Sequence, residues 1–162
     1  MNGMTDETTD DSYDVWVSML DRISRPQFRA LLLERAGVTL EVGLAQCLVT
    51  VDLDGPIGVM ELADLLDQNH TRVSRSLARL EELGLVCRDA APHDRRIKMA
   101  SMTPKGRRVA KAINTGRRQL LEDTFEGWNA RDRATLTRLT RRFSDRLLTL
   151  IEEGQAVADN TT

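Results

Sequence analysis

The sequence predicts a mainly α chain that carries one small β-hairpin and has long helices at both ends. Three observations predict that class. Apolar residues recur at helical spacing over most of the 162 residues. Two short runs, Leu85–Arg88 and Ile97–Met102, read as strands and flank a polar loop. Charge is unevenly spread: residues 69–111 hold eleven Lys and Arg against four Asp and Glu, a local +7. The rest of a chain of formal charge −2 therefore carries −9. A content of 41% hydrophobic and 30% charged residues is ordinary for one globular domain.

The elements follow in order. Residues 1–11 are acidic and aperiodic and are expected to form a disordered tail. An N-terminal helical segment is expected over 12–36. Val15, Met19, Leu20 and Ile23 form its stripe, and Phe28, Leu31 and Leu32 continue it past a kink or break set by Pro26. Gly37 is a stop. A second helix is expected from about Leu40 to Leu53, with Leu44, Cys47, Leu48 and Val51 on one face. Asp54-Gly55-Pro56 marks a turn and Ile57–Val59 a very short strand. A short helix from Met60 to Leu66 then leads through the turn Asp67-Gln68 to Asn69, which is placed to cap the next helix. That helix turns Val73, Leu77 and Leu80 inward and places Arg72, Arg75, Ser76 and Arg79 on other faces. It ends at Leu83-Gly84, before the hairpin with its Ala90–Arg96 tip.

Thr103-Pro104 starts a helix with Val109, Ile113, Leu120, Leu121 and Phe125 inside. Gly116 in its middle costs about 1 kcal/mol relative to alanine, which predicts a bend or a close helix contact. Asn129, with Asp132 three residues on, caps a last helix striped by Leu136, Leu139, Phe143, Leu147 and Ile151. From Ala130 to Glu153 it would span ~36 Å. Residues 154–162 are expected to be a flexible tail. Helix, turn, helix and hairpin in this order make a winged helix-turn-helix, expected over 37–104 and flanked by long helices, the second set over 105–153.

Asn69-His70-Thr71-Arg72-Val73-Ser74-Arg75, extended to Arg79, has the make-up of a DNA-reading helix. Such a helix lays its N-terminal residues along base edges and needs polar donors on one face and apolar anchors on the other. Asn69, His70, Thr71, Arg72, Ser74 and Arg75 are the candidate contacts. Arg79, further along, is expected to meet a phosphate or an internal acid. One arginine on a surface helix usually means only solvation; three at this spacing, after a cap and a tight turn, point to DNA. The tip His93-Asp94-Arg95-Arg96 suits a minor groove, whose negative potential attracts arginine, with Asp94 holding the tip in shape.

These residues also carry a family likeness. Glu61-Leu62-Ala63-Asp64-Leu65-Leu66, Thr71-Arg72-Val73-Ser74-Arg75, Arg79-Leu80-Glu81-Glu82-Leu83-Gly84-Leu85-Val86, Asp94-Arg95-Arg96 and Met102-Thr103-Pro104-Lys105-Gly106 together resemble the multiple-antibiotic-resistance regulator (MarR) family. The match is close over about residues 57–108, and the Asp-Arg-Arg tip followed by Thr-Pro-Lys-Gly is its most specific part. The resemblance implies a homodimer joined by helices at about 12–36 and 105–153; a cytoplasmic protein is expected separately, from the want of a membrane-spanning run and of signal-peptide order. It implies repression from a pseudo-palindromic operator on double-stranded DNA, with release by a small aromatic or anionic effector. It makes Arg75 a groove-facing residue and Arg95 the minor-groove residue, with Asp94 and Arg96 shaping the wing. Trp16, Met19 and Phe28 are a candidate effector pocket.

Other chemistries find little support. No nucleophile elbow, phosphate loop or HExxH motif occurs, so no enzyme activity is expected. Two Cys and two His, scattered, suggest neither a disulfide framework nor a zinc site, and no cofactor or metal is expected. No run approaches the ~18 apolar residues of a membrane span, and the acidic start lacks the order of a signal peptide. Two alternatives remain at this level: a helical dimerisation or protein-interaction module that keeps the winged shape without binding DNA, and a redox-responsive regulator using Cys47 or Cys87.

Overall fold

Helices α1 (Glu7–Ser24) and α2 (Pro26–Arg35) open the computed structural model, which describes residues 7–90 and 98–159. Between them Arg25 is extended (φ −68°, ψ 144°), the conformation a following proline favours, and Pro26 sits in the first turn, where its missing N–H breaks no helical bond. The expected disordered tail over residues 1–11 is corrected from Glu7 onward. The acidic run Glu7–Asp11 starts the helix, because negative sequence charge suits the positive end of the helix dipole. Gly37, at φ 62°, closes α2: its N–H donates to the Glu34 carbonyl (3.0 Å) and that of Val38 to the Leu33 carbonyl (2.9 Å).

Helix α3 (Val42–Asp54) is buried on two sides. Leu44, Cys47, Leu48 and Val51 face the larger apolar cluster, and Ala45 and Val49 face a second one with Leu33 and Ile113. A helix apolar over so much of its surface becomes a central beam rather than a surface helix. Strand β1 (Ile57–Gly58), helix α4 (Val59–Leu65), helix α5 (His70–Glu82), strand β2 (Val86–Ala90) and strand β3 (Lys98–Met102) complete the winged part. The sheet is antiparallel in the order β1-β3-β2, with Ile57 opposite Ala100 and Val86 opposite Met102. Leu48, Leu62, Leu77 and Leu80 are wholly buried between these layers. Each such side chain contributes roughly 1.5–3 kcal/mol.

Helix α6 (Pro104–Thr124) follows directly. The close contact predicted at Gly116 is present: a Cβ there would lie 2.9 Å from the Ala36 nitrogen. Helix α7 (Ala130–Asp159) runs beyond Glu153, which corrects the expected flexible tail over 154–162. Gly154 does not stop it, because Gln155, Ala156 and Ala158 have high helix propensity. The chain divides into two compact units, one up to Leu120 and one from Leu121. In the second, Asn129 Oδ1 accepts the Asp132 N–H (2.9 Å) and Asn129 Nδ2 donates to Asp132 Oδ2 (2.7 Å), the expected cap. Arg133 lies over the Phe125 ring and pairs with Glu122. The α7 stripe Leu139, Leu147, Leu150 and Ile151 is exposed, as are Val15, Leu20 and Ile23 of α1.

Candidate nucleic-acid interface

The approach to α5 is set by a tight turn. Asp67 takes the left-handed conformation (φ 48°), and the N–H groups of Asp67 and Gln68 donate to the carbonyls of Asp64 (3.1 Å) and Ala63 (3.0 Å). Asn69 then accepts the Thr71 N–H on its side-chain oxygen at 2.7 Å, satisfying one of the helix's orphan donors. Asn69 is thus first a cap, with its amide N–H groups left for other partners. Val73, Leu77 and Leu80, at most 1% exposed, bolt one face of α5 to the core. The other face presents Thr71, Arg72, Arg75 and Arg79 to solvent, with His70 exposed at the start and Ser74 half-buried at the margin.

Part of the local positive charge is paired within the chain. Arg79 Nη1 donates to Glu82 Oε2 at 2.8 Å, an acid on its own helix, one of the two partners expected for it. Arg88 on β2 donates through Nε (2.8 Å) and Nη2 (2.5 Å) to Glu81 Oε2. That hydrogen bond, with the Arg88 charge behind it, holds the Glu81 carboxyl below its ordinary range. Lys105 Nζ donates to the Leu83 carbonyl (2.8 Å) and Arg107 to the Met102 carbonyl (2.9 Å). The side chains of Arg72 and Arg75 make no hydrogen bond or ion pair among the described residues. Of the guanidinium groups of residues 69–111 without a partner among the described residues, Arg72 and Arg75 stand on the N-terminal half of α5 and Arg108 on the helix that follows the wing.

Gly84 and Thr103 join two of the sequence motifs physically. Gly84 (φ 68°) ends α5, with its N–H on the Glu81 carbonyl and that of Leu85 on the Leu80 carbonyl, both at 2.8 Å. Thr103 Oγ1 donates to the Gly84 carbonyl (2.7 Å) and accepts the Gly106 N–H (3.0 Å). Gly106 packs so closely that a Cβ would sit 1.9 Å from the Leu85 oxygen. Leu-Gly-Leu-Val and Thr-Pro-Lys-Gly are one clamp that fixes the root of the wing to α6. Their part in the interface is to position it.

The wing-tip candidates Asp94, Arg95 and Arg96, with His93, lie outside the described residues. Of the candidate pocket, Trp16 and Phe28 are half-buried and Met19 is 40% exposed. A cavity of about 610 Å³ lies elsewhere, on α2, α3 and α5. Burial pushes the Cys47 thiol up to about 11, and burial together with Asp89 raises that of Cys87. Both thiols are thereby held protonated, the less reactive form. Among the described residues no His, Cys, Asp and Glu group could hold a metal, and no helix is long and apolar enough to cross a membrane.

Comparison with known proteins agrees with this geometry. Residues 45–97 match the MarR family model. Over 94 residues the chain is 28% identical to an uncharacterized HTH-type transcriptional regulator, YxaD, of Bacillus subtilis; the match spans 58% of this chain and 66% of that protein. The structure of a MarR family protein from Bacillus stearothermophilus superposes with a TM-score of 0.76 at 16% identity, covering 90% of this chain and 99% of that one. A structure of Bordetella bronchiseptica BpsR, whose DNA binding is regulated by 6-hydroxynicotinic acid, superposes with a TM-score of 0.56 at 22% identity, covering 80% and 93%. At these identities the structural likeness is one of fold.

Proposed function

The lobe is a MarR-family winged helix-turn-helix, and on that premise we propose that the chain is a homodimeric transcriptional repressor of a pseudo-palindromic operator, relieved by a small molecule. In this reading the N-terminal half of α5 enters the major groove. Arg72 and Arg75 meet a guanine edge or a phosphate with two parallel hydrogen bonds. His70, Thr71, Ser74 and the Asn69 amide supply shorter contacts. Arg95 reaches the adjacent minor groove from a wing tip shaped by Asp94 and Arg96. Two copies must present their α5 helices about 34 Å apart to meet successive grooves. The exposed stripes of α1 and α7 support the dimer, since contiguous apolar faces of this kind are left in water only when a partner covers them. The residues 12–36 and 105–153 would supply that contact. Relief by an effector is supported by the Bordetella relative, whose DNA binding a small carboxylic acid regulates.

One observation carries the reading: two arginines whose side chains have no partner among the described residues stand on the solvent face of a helix whose other face is locked in the core. Sequencing of genomic fragments retained by the purified chain at low salt tests it. One short inverted repeat should dominate. Retention of no fragment would contradict the reading and favour an interaction module that does not bind DNA.

A further inference from the structure

The cavity of about 610 Å³ is walled by α2, the loop that follows it, the start of α3 and the C-terminal half of α5. Small-molecule sites span roughly 300–1,000 Å³, so its size fits a drug-sized ligand. Leu33, Leu40, Leu44 and Leu83 give it an apolar lining. Its charged groups are unbalanced. Arg79 reaches the wall but is already bound to Glu82 at 2.8 Å. The carboxylates of Glu34 and Glu41 also line it, and neither makes a hydrogen bond or ion pair among the described residues. An apolar hollow with two uncompensated carboxylates and one neutralised arginine attracts a cation with a large hydrocarbon surface and repels an anion.

We propose that this cavity binds a lipophilic cation and, resting on the repressor reading above, that it is the effector site. The wall supplies the link to DNA. Arg79 belongs to the same helix as Arg72 and Arg75, and Leu83 is its C-cap. An occupant held by α2 and α3 therefore touches the DNA-reading helix directly. It shifts the equilibrium to the extent that it binds one placement of α5 better than another.

The test pairs two probes of one shape and opposite charge, tetraphenylphosphonium and tetraphenylborate, titrated by calorimetry into the full chain without DNA. The cation should bind saturably and the anion at least ~10-fold more weakly, the equivalent of about 1.4 kcal/mol. The double variant Glu34→Gln, Glu41→Gln should weaken the cation by at least ~10-fold and abolish the preference. Glu41 makes no side-chain capping bond, so α3 keeps its start, and far-UV circular dichroism checks the fold. The surface pair Glu61→Gln, Glu126→Gln should change neither affinity. No saturable cation binding, equal binding of the anion, or an unchanged affinity in the Glu34, Glu41 variant would overturn the site. In a second arm the cation is added to the protein on its selected DNA. Release from wild type but not from the variant supports the effector role, and cation binding without release overturns that role. Failure of the free protein to bind any DNA would sink the repressor reading and leave the calorimetry interpretable.

Discussion

The two halves of α5 carry the same residue type in opposite electrostatic circumstances. At the N-terminal half, the side chains of Arg72 and Arg75 have no partner among the described residues. At the C-terminal half, Arg79 is tied to Glu82, while Glu81 holds Arg88 of the wing. A count of positive charge treats them alike. The structure separates a half whose arginine side chains have no partner among the described residues from a half whose charges are paired within the helix and to the wing, so DNA affinity should depend on where an arginine sits more than on how many there are.

The comparison breaks most completely if the shared anchor goes. Leu77 is wholly buried beneath both halves, and Leu77→Ala should cost about 2–5 kcal/mol of stability in chemical denaturation. The free half comes next. Arg75→Ala should weaken binding to the selected operator by about 1–3 kcal/mol, roughly 5- to 150-fold, in a titration that leaves the melting temperature unchanged. Asn69→Ala should lower stability by about 1 kcal/mol through loss of the cap, seen as an earlier thermal transition. Smallest is the fastening at the other half. The Glu81 carboxyl is held below its ordinary value of 4.5, so its contribution is present above that pH and is lost as pH falls through the lowered native value. Acid titration of stability should show a shallower fall in Glu81→Gln than in wild type.

The free half of α5 was largely legible in the sequence. The cap, the stripe Val73-Leu77-Leu80 and the arginines between them follow from helical period alone, and so does an acid within reach of Arg79. The close contact at Gly116 was legible as an otherwise unfavourable glycine within a helix. What escaped depends on distant parts of the chain. The second buried face of α3 is made of Ala45 and Val49, which add no period to a helix already apolar nearly all round. The pairing of Glu81 with Arg88 needs the wing folded back on α5. The α2–α3–α5 cavity draws its walls from separated segments, whereas the aromatic guess at Trp16, Met19 and Phe28 followed residue type. The ends at Glu7 and Asp159 were misjudged because polar composition was read as disorder where helix propensity suffices.

The salt dependence of operator binding tests the division of α5 most directly. The slope of log affinity against log salt counts the phosphates neutralised, at about 0.9 per contact on duplex DNA. If Arg72 and Arg75 both sit on phosphates, the double variant Arg72→Ala, Arg75→Ala lowers the slope by about 2, and if they read bases it loses affinity and sequence preference instead. In either case Arg79→Ala should leave slope and affinity within about threefold of wild type, as expected for an exposed pair worth under ~1 kcal/mol. A double variant that binds like wild type, or an Arg79→Ala protein that loses as much as the double variant, would contradict the account.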